Sequence, residues 1–161
     1  MSMNGVLRAY TTDGFELGDL ADGDLEASAA FASSIEVDKM WQALSVLTTP
    51  GDDPLRSIVS PDPLDPLLGG RPFGDDLGYG EARHLPPDQV LAVHDHLSAL
   101  ADGEVRTRFD PAAFGAAGVY PFVWDEDPDE LWAEVLVHLA AIRRFYADAA
   151  ANGHHVVLCL E

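Results

Sequence analysis

A single α+β domain, with a small sheet packed against several helices, is the fold class this sequence predicts, and three observations predict it. Helical periodicity recurs in separate stretches, the longest lying between a cap at Asp127 and a stop at Asn152-Gly153. Short strand-like runs stand near the start (residues 6–10), in the middle (78–85) and at the end (154–160). A length of 161 residues with 47% apolar composition suits one core, so the domain is taken as 1–161 with a proline-rich loop at about 50–74.

Element by element, Val6-Leu7-Arg8-Ala9-Tyr10 alternates like a strand and Thr11-Thr12-Asp13-Gly14 is a turn. Residues 15–33, acidic and alanine-rich, read as one or two short helices. In 37–48, Val37, Met40, Trp41, Leu44, Leu47 and Thr48 share a helical face that ends at Pro50-Gly51. The loop at 50–74 carries prolines 50, 54, 61, 63, 66 and 72, with a short helix expected over 54–59; such an excursion is functional or mobile. Residues 78–85 read as extended, placing Tyr79, Glu81, Arg83 and Leu85 on one side and Ala82 and His84 on the other. The helix opened by Pro87 has the stripe Val90, Val93, His94, Leu97, Leu100 and Ala101. A short helix over 104–109 and a turn at Asp110-Pro111 lead to an aromatic segment, 119–124, that Pro121 keeps out of a helix. The last helix buries Leu131, Val135, His138, Ile142, Phe145, Tyr146 and Ala149.

Charge narrows the function classes. Nine basic against 28 acidic residues give a net charge of −19, which repels phosphate backbones and anionic headgroups, so neither nucleic acid nor a membrane surface is an expected partner. Cys159 is the single cysteine, so no intramolecular disulfide forms, and in an apolar strand it reads as an inert small hydrophobe; a nucleophilic thiol would want an electropositive setting. The first residues lack the basic and apolar runs of a signal peptide, which makes the cytoplasm the expected compartment. One lysine against eight arginines points to a GC-rich bacterial genome.

No reactive motif is assembled in the sequence, so whether the chain is an enzyme stays open. His94-Asp95-His96 would chelate on a strand but diverges by about 200° on a helix, and neither a metal site nor a cofactor is expected. Acidic pairs such as Asp52-Asp53 and Asp75-Asp76 are what so anionic a chain must contain, and no G-x-S-x-G elbow, phosphate loop or C-x-x-C occurs. One cluster survives as a candidate ligand site: Tyr79 and Arg83, with Tyr120 and Trp124 about Pro121. A guanidinium between phenol and indole rings can hold an anionic group while burying an apolar body, with Glu81 or His84 the nearby acid or base. The alternative is that the rings complete the core while Arg83 pairs with an acid.

The chain also resembles a known family. The opening 1–10, Asp38-Lys39-Met40-Trp41, Asp53-Pro54-Leu55, Gly78-Tyr79-Gly80-Glu81-Ala82-Arg83 and Val119-Tyr120-Pro121 are similar, in order, to motifs of the YfbM-like family of small bacterial proteins, a domain of unknown function (1877). The resemblance spans the whole chain and implies a single α+β domain. It supplies no catalytic residue. Pro86 departs from it, standing where members usually place a capping threonine, and the loop from 61 to 72 is richer in proline. Two functions remain in play: a non-catalytic acidic module binding another protein, with a basic one fitting its charge, or a small-anion binder or enzyme built around Arg83.

Overall fold

The computed structural model describes residues 2–21 and 24–161. Five strands form one antiparallel sheet: β1 (Gly5–Tyr10), β2 (Phe31–Glu36), β3 (Arg71–Asp76), β4 (Glu81–Leu85) and β5 (His155–Leu160), in the order β2-β1-β5-β4-β3. The two ends of the chain therefore meet at the centre, with Gly5 opposite Leu160 and Tyr10 opposite His155. β1 is buried throughout and β5 from Val156 to Cys159, as strands covered on both faces must be. The helices are α1 (Trp41–Thr48), α2 (Pro87–Ala99), α3 (Asp102–Arg108), α4 (Pro111–Ala117) and α5 (Pro128–Ala151). The fold is a single α+β domain.

Alternation along the strands sorts two cores. Leu7, Ala9, Leu85, Val156 and Leu158 face the helices, where α5 lays down Leu131, Val135, Leu139, Ile142, Phe145, Tyr146 and Ala149. Val6, Tyr10, Ala82, Val157 and Cys159 face the other way, onto Leu20, Leu25 and Ala30 from the chain between β1 and β2. Each fully buried Leu, Val or Ile is worth about 1.5–3 kcal/mol, so α5 is the largest single contributor. Its start follows the expected signals: the Asp127 carboxylate accepts from the amides of Asp129 and Glu130, Pro128 occupies the first turn, and Gly153 at φ 64° ends the exit turn.

Several expectations are corrected. The described residues of 15–33 are not helical beyond one 3-10 turn at Leu17–Leu20, because Phe15, Leu20 and Leu25 are drawn onto the sheet and Tyr10 Oη donates to the Leu25 carbonyl at 2.6 Å. Asp22, Gly23 and Met1 lie outside the described residues. That stretch also ends in β2, and the expected loop ends in β3; both are edge strands with most side chains exposed. The turn at Asp110-Pro111 is the start of α4, with the Asp110 carboxylate capping the Ala113 amide. On α5 the buried position is Leu139, while His138 is half-buried, 3.8 Å from Glu134. His94 is likewise half-buried and Ala101 exposed; His96 is the imidazole turned inward, 2.6 Å from the Thr48 carbonyl. α1 is buried nearly all round, not on one face, because it lies beneath the proline-rich loop as well as on the core.

That loop is firmly bolted. The buried Asp65 carboxylate takes a hydrogen bond from Ser45 Oγ on α1 and two more from the amides of Leu67 (2.8 Å) and Leu68 (3.1 Å). Burial pushes this carboxyl above its ordinary range against those three bonds. Tyr146 Oη donates to Pro66 O at 2.8 Å, and Gln89 Nε2 to Pro63 O at 2.7 Å. Gly69 permits the tight return, since a Cβ there would stand 2.5 Å from the Asp65 carbonyl.

Candidate functional site

β4 carries Arg83 toward the helix side of the sheet, opposite Leu158. Its Nε donates to Gly69 O and its Nη2 to Gly70 O, both at 3.0 Å, so the planar fork closes on the end of the proline-rich loop. Glycine is needed at 70, where φ is +80° and a Cβ would meet the His84 carbonyl at 2.6 Å. Beside the guanidinium lies a cleft of about 270 Å³ lined by Leu67, Leu68, Tyr79, Glu81, Arg83 and Leu160 among others. Tyr79 and Arg83 are thus brought together. Two of the three guanidinium nitrogens already serve the backbone, and the exposed Glu81 carboxylate stands on the rim.

Tyr120 and Trp124 are not among the residues lining this cleft. Tyr120 stacks at a tilt on Trp41 (5.9 Å between centroids), its amide donates to Gln42 Oε1, and its hydroxyl accepts from the Met3 amide. The peptide between Tyr120 and Pro121 is cis. Trp124 is buried edge-on against Phe114 at 4.9 Å, and its indole N–H donates to Val119 O at 2.6 Å. Trp124 also lines a separate groove of about 320 Å³ with Pro111, Ala112, Gly115, Ala116 and Phe122. Arg83 meets no carboxylate among the described residues; its partners are carbonyls.

On the opposite face of the sheet, antiparallel pairing of β1 with β5 creates a polar cluster. Arg8 Nη1 lies 2.8 Å from Cys159 Sγ, its Nη2 2.8 Å from Glu161 Oε1, and its Nε 3.3 Å from Glu26 Oε1. The electropositive setting that a reactive thiol needs is therefore present. Burial nevertheless outweighs the guanidinium and pushes the thiol up to about 12, so it stays protonated at neutral pH. Farther along, His84 Nε2 meets His155 Nδ1 at 2.9 Å, and Phe15 stacks on the His155 ring at 3.9 Å. Burial, then the charge of His155, lowers His84 to about 4; burial, then His154, lowers His155. Both imidazoles are thereby held neutral, one donating to the other. No group of three or more His, Cys, Asp or Glu side chains that could hold a metal ion occurs among the described residues, and no helix among them is long and apolar enough to cross a membrane.

A family model described as a domain of unknown function, DUF1877, matches residues 1–159. The chain belongs to that family. Among solved structures, the DUF1877 chain is similar to a protein of unknown function, YfbM from Escherichia coli, at 18% identity, with a TM-score of 0.73 and full coverage of both chains. At that identity the likeness shows a shared fold. No curated protein matches the chain.

Sequence reasoning missed the Arg8 cluster, in which Arg8 and Cys159 lie 151 positions apart and meet through the pairing of Val6 with Cys159. It also missed the groove beside Phe122. There the signal was local: an aspartate, a proline and an alanine-rich heptad stopped by Gly118 spell a capped helix at 111–117.

Proposed function

We propose that this DUF1877 chain is a non-catalytic acidic module that binds a cationic protein partner in the bacterial cytoplasm. One observation carries the reading: exposed carboxylates far outnumber exposed cations, and five of the nine cations are engaged within the chain. Arg8 serves Glu26, Glu161 and Cys159; Arg83 and Arg108 serve backbone carbonyls; Arg143 serves Asp102 and the Leu100 carbonyl; Arg106 lies 5.2 Å over the rings of Phe109 and Trp132. Exposed carboxylates such as Asp52, Asp53, Asp75, Asp76, Asp125, Glu126, Asp127, Asp129 and Glu130 are left with little to offset them. A field of that sign speeds encounter with a basic surface and weakens as salt screens it. A single free thiol, buried and held protonated, suits the cytoplasm. Capture from a native bacterial lysate by the full chain tests the reading. A stoichiometric basic protein retained at low salt and released at high salt is expected, and an empty column at low salt sinks it.

A second reading rests on the shared lining of Tyr79 and Arg83: a small anion in the 270 Å³ cleft, with Arg83 as its counter-charge and Tyr120 and Trp124 taking no part. Glu81 on the rim and the two occupied guanidinium nitrogens weigh against it. A thermal-shift screen of anionic metabolites separates the two. A compound that raises Tm in the wild type but not in Arg83→Gln favours the cleft, and a flat screen removes it.

A further inference from the structure

The reading above assigns a class of partner but no docking place, and the groove between α4 and the segment 122–125 supplies one. Phe122 is 74% exposed, stands edge-on to Tyr120 at 5.8 Å, and forms one wall. The rest of the lining is Pro111, Ala112, Gly115 and Ala116 of α4 with Trp124, whose indole is fixed by its bond to the Val119 carbonyl. An exposed aromatic beside a concave apolar surface is the usual form of an anchor pocket in an interface core. A volume of about 320 Å³ has room for one large apolar side chain and part of its neighbour.

Charge selects the occupant. No residue lining the groove is basic; Asp125 lies in its wall, Asp110 is exposed beside Pro111, and the exposed acids Glu126, Asp127, Asp129 and Glu130 follow directly. A second copy of the chain would bring the same acidic rim and a net charge of −19 against its own kind. Phosphate-bearing surfaces are repelled for the same reason. We infer that this groove docks a cationic amphipathic segment of a partner protein, seating one apolar anchor between Phe122 and Trp124 and laying Lys or Arg side chains along Asp125–Glu130. The inference rests on the acidic-module reading and adds a location to it.

Three labelled peptides of equal length test it on the full chain by fluorescence anisotropy: an amphipathic Lys/Leu peptide, an oligolysine, and a Glu/Leu peptide of the same apolar pattern. The Lys/Leu peptide should bind tightest, the Glu/Leu peptide should not bind, and amide and indole NMR shifts should move at Ala112, Gly115, Ala116, Phe122 and Trp124. Phe122→Ser should weaken the Lys/Leu peptide ~10-fold, with oligolysine affinity unchanged. Asp125→Lys, also at an exposed position, should weaken it by a smaller factor that vanishes at high salt. If both cationic peptides bind but Phe122→Ser changes neither, the groove is overturned while the acidic module survives. If no cationic peptide binds, both readings fall. Equal binding of the Glu/Leu peptide, or a concentration-dependent dimer abolished by Phe122→Ser, also overturns the inference, the latter in favour of a second copy.

Discussion

The two faces of the sheet are covered in different ways. One is roofed by α1, α2 and α5, with a largely apolar lining that includes Leu7, Leu85, Val156 and Leu158. The other is roofed by the irregular chain between β1 and β2, and the same strands carry Arg8, His84, His155 and Cys159 there. Regular helices bring many apolar side chains at fixed spacing and leave backbone groups needing outside partners only in their first and last turns. An irregular cover brings few, and tolerates polar groups in the sheet provided they satisfy each other. The helix face should therefore hold most of the stability and the loop face most of the pH dependence.

The sharpest test of that division is a pair of truncations. Leu139→Ala removes a side chain with no exposure from the middle of α5, where flanking helix cannot close over the gap, and should cost about 3–5 kcal/mol. Leu20→Ala removes a side chain of the same size from the irregular cover, which can settle inward, and should cost about 2 kcal/mol, at the low end of such changes. Urea denaturation of both variants measures the difference. Equal losses would show that the two covers are equally rigid.

The bolted loop extends the helix face and comes next. Asp65→Ala leaves Ser45 Oγ and the amides of Leu67 and Leu68 without their shared acceptor inside the protein, at a cost of about 2–3 kcal/mol. Asp65→Asn retains an acceptor oxygen and should recover part of it. A loss under ~0.5 kcal/mol in the alanine variant would show that water replaces the carboxylate and that the loop is held by Tyr146 and Arg83 instead.

How legible each region was follows from the same contrast. The central strands and α5 were readable because burial on a fixed period leaves a pattern in the residues themselves. β2 and β3 were not: as edges they expose most of their side chains, and Pro72 and Gly74 in β3 are tolerated only because an edge lacks one neighbour. The stretch 15–33 misled because alanine and acid favour a helix locally, while Phe15, Leu20 and Leu25 are wanted one by one by the sheet. At the candidate site, alternation correctly set Arg83 apart from His84, and the same cleft takes Tyr79. Tyr120 and Trp124 went elsewhere because nothing local fixes where a segment between two helices will pack.

The loop face should reveal itself in acid. His84, lowered to about 4 by burial and by His155, is held neutral in the folded chain, so its contribution is fully present above about pH 6.5 and is lost as pH falls through 4. The side chain is only partly buried, and solvent screening reduces the effect to about 1–2 kcal/mol. His84→Gln keeps a group able to bond His155 Nδ1 but cannot take a proton. The variant should therefore lose about that much less stability than the wild type between pH 7.5 and 4.5, read as the difference in urea midpoints. Parallel curves would place the acid sensitivity on the carboxylates alone.

The smallest expected change is at Cys159, and it separates two accounts of the Arg8 cluster. Were the sulfur a thiolate paired with the guanidinium, removing it would delete one buried charge partner of Arg8 and cost about 2–3 kcal/mol, less than a stranded cation because two carboxylates remain. Burial instead keeps the thiol protonated, raised to about 12 from an ordinary value near 9, and Arg8 retains Glu161 and Glu26 without it. Cys159→Ala should then cost about 1 kcal/mol, the value of a small buried group lost. The sign of the pH dependence agrees: a raised thiol favours the folded state below pH 9 and loses that advantage as pH climbs toward 12, so the wild type should weaken over that range more than the alanine variant does. A large loss at pH 7, with the pH curves of the two proteins parallel above 9, would make the sulfur anionic and turn the loop face into the chemically active side of the sheet.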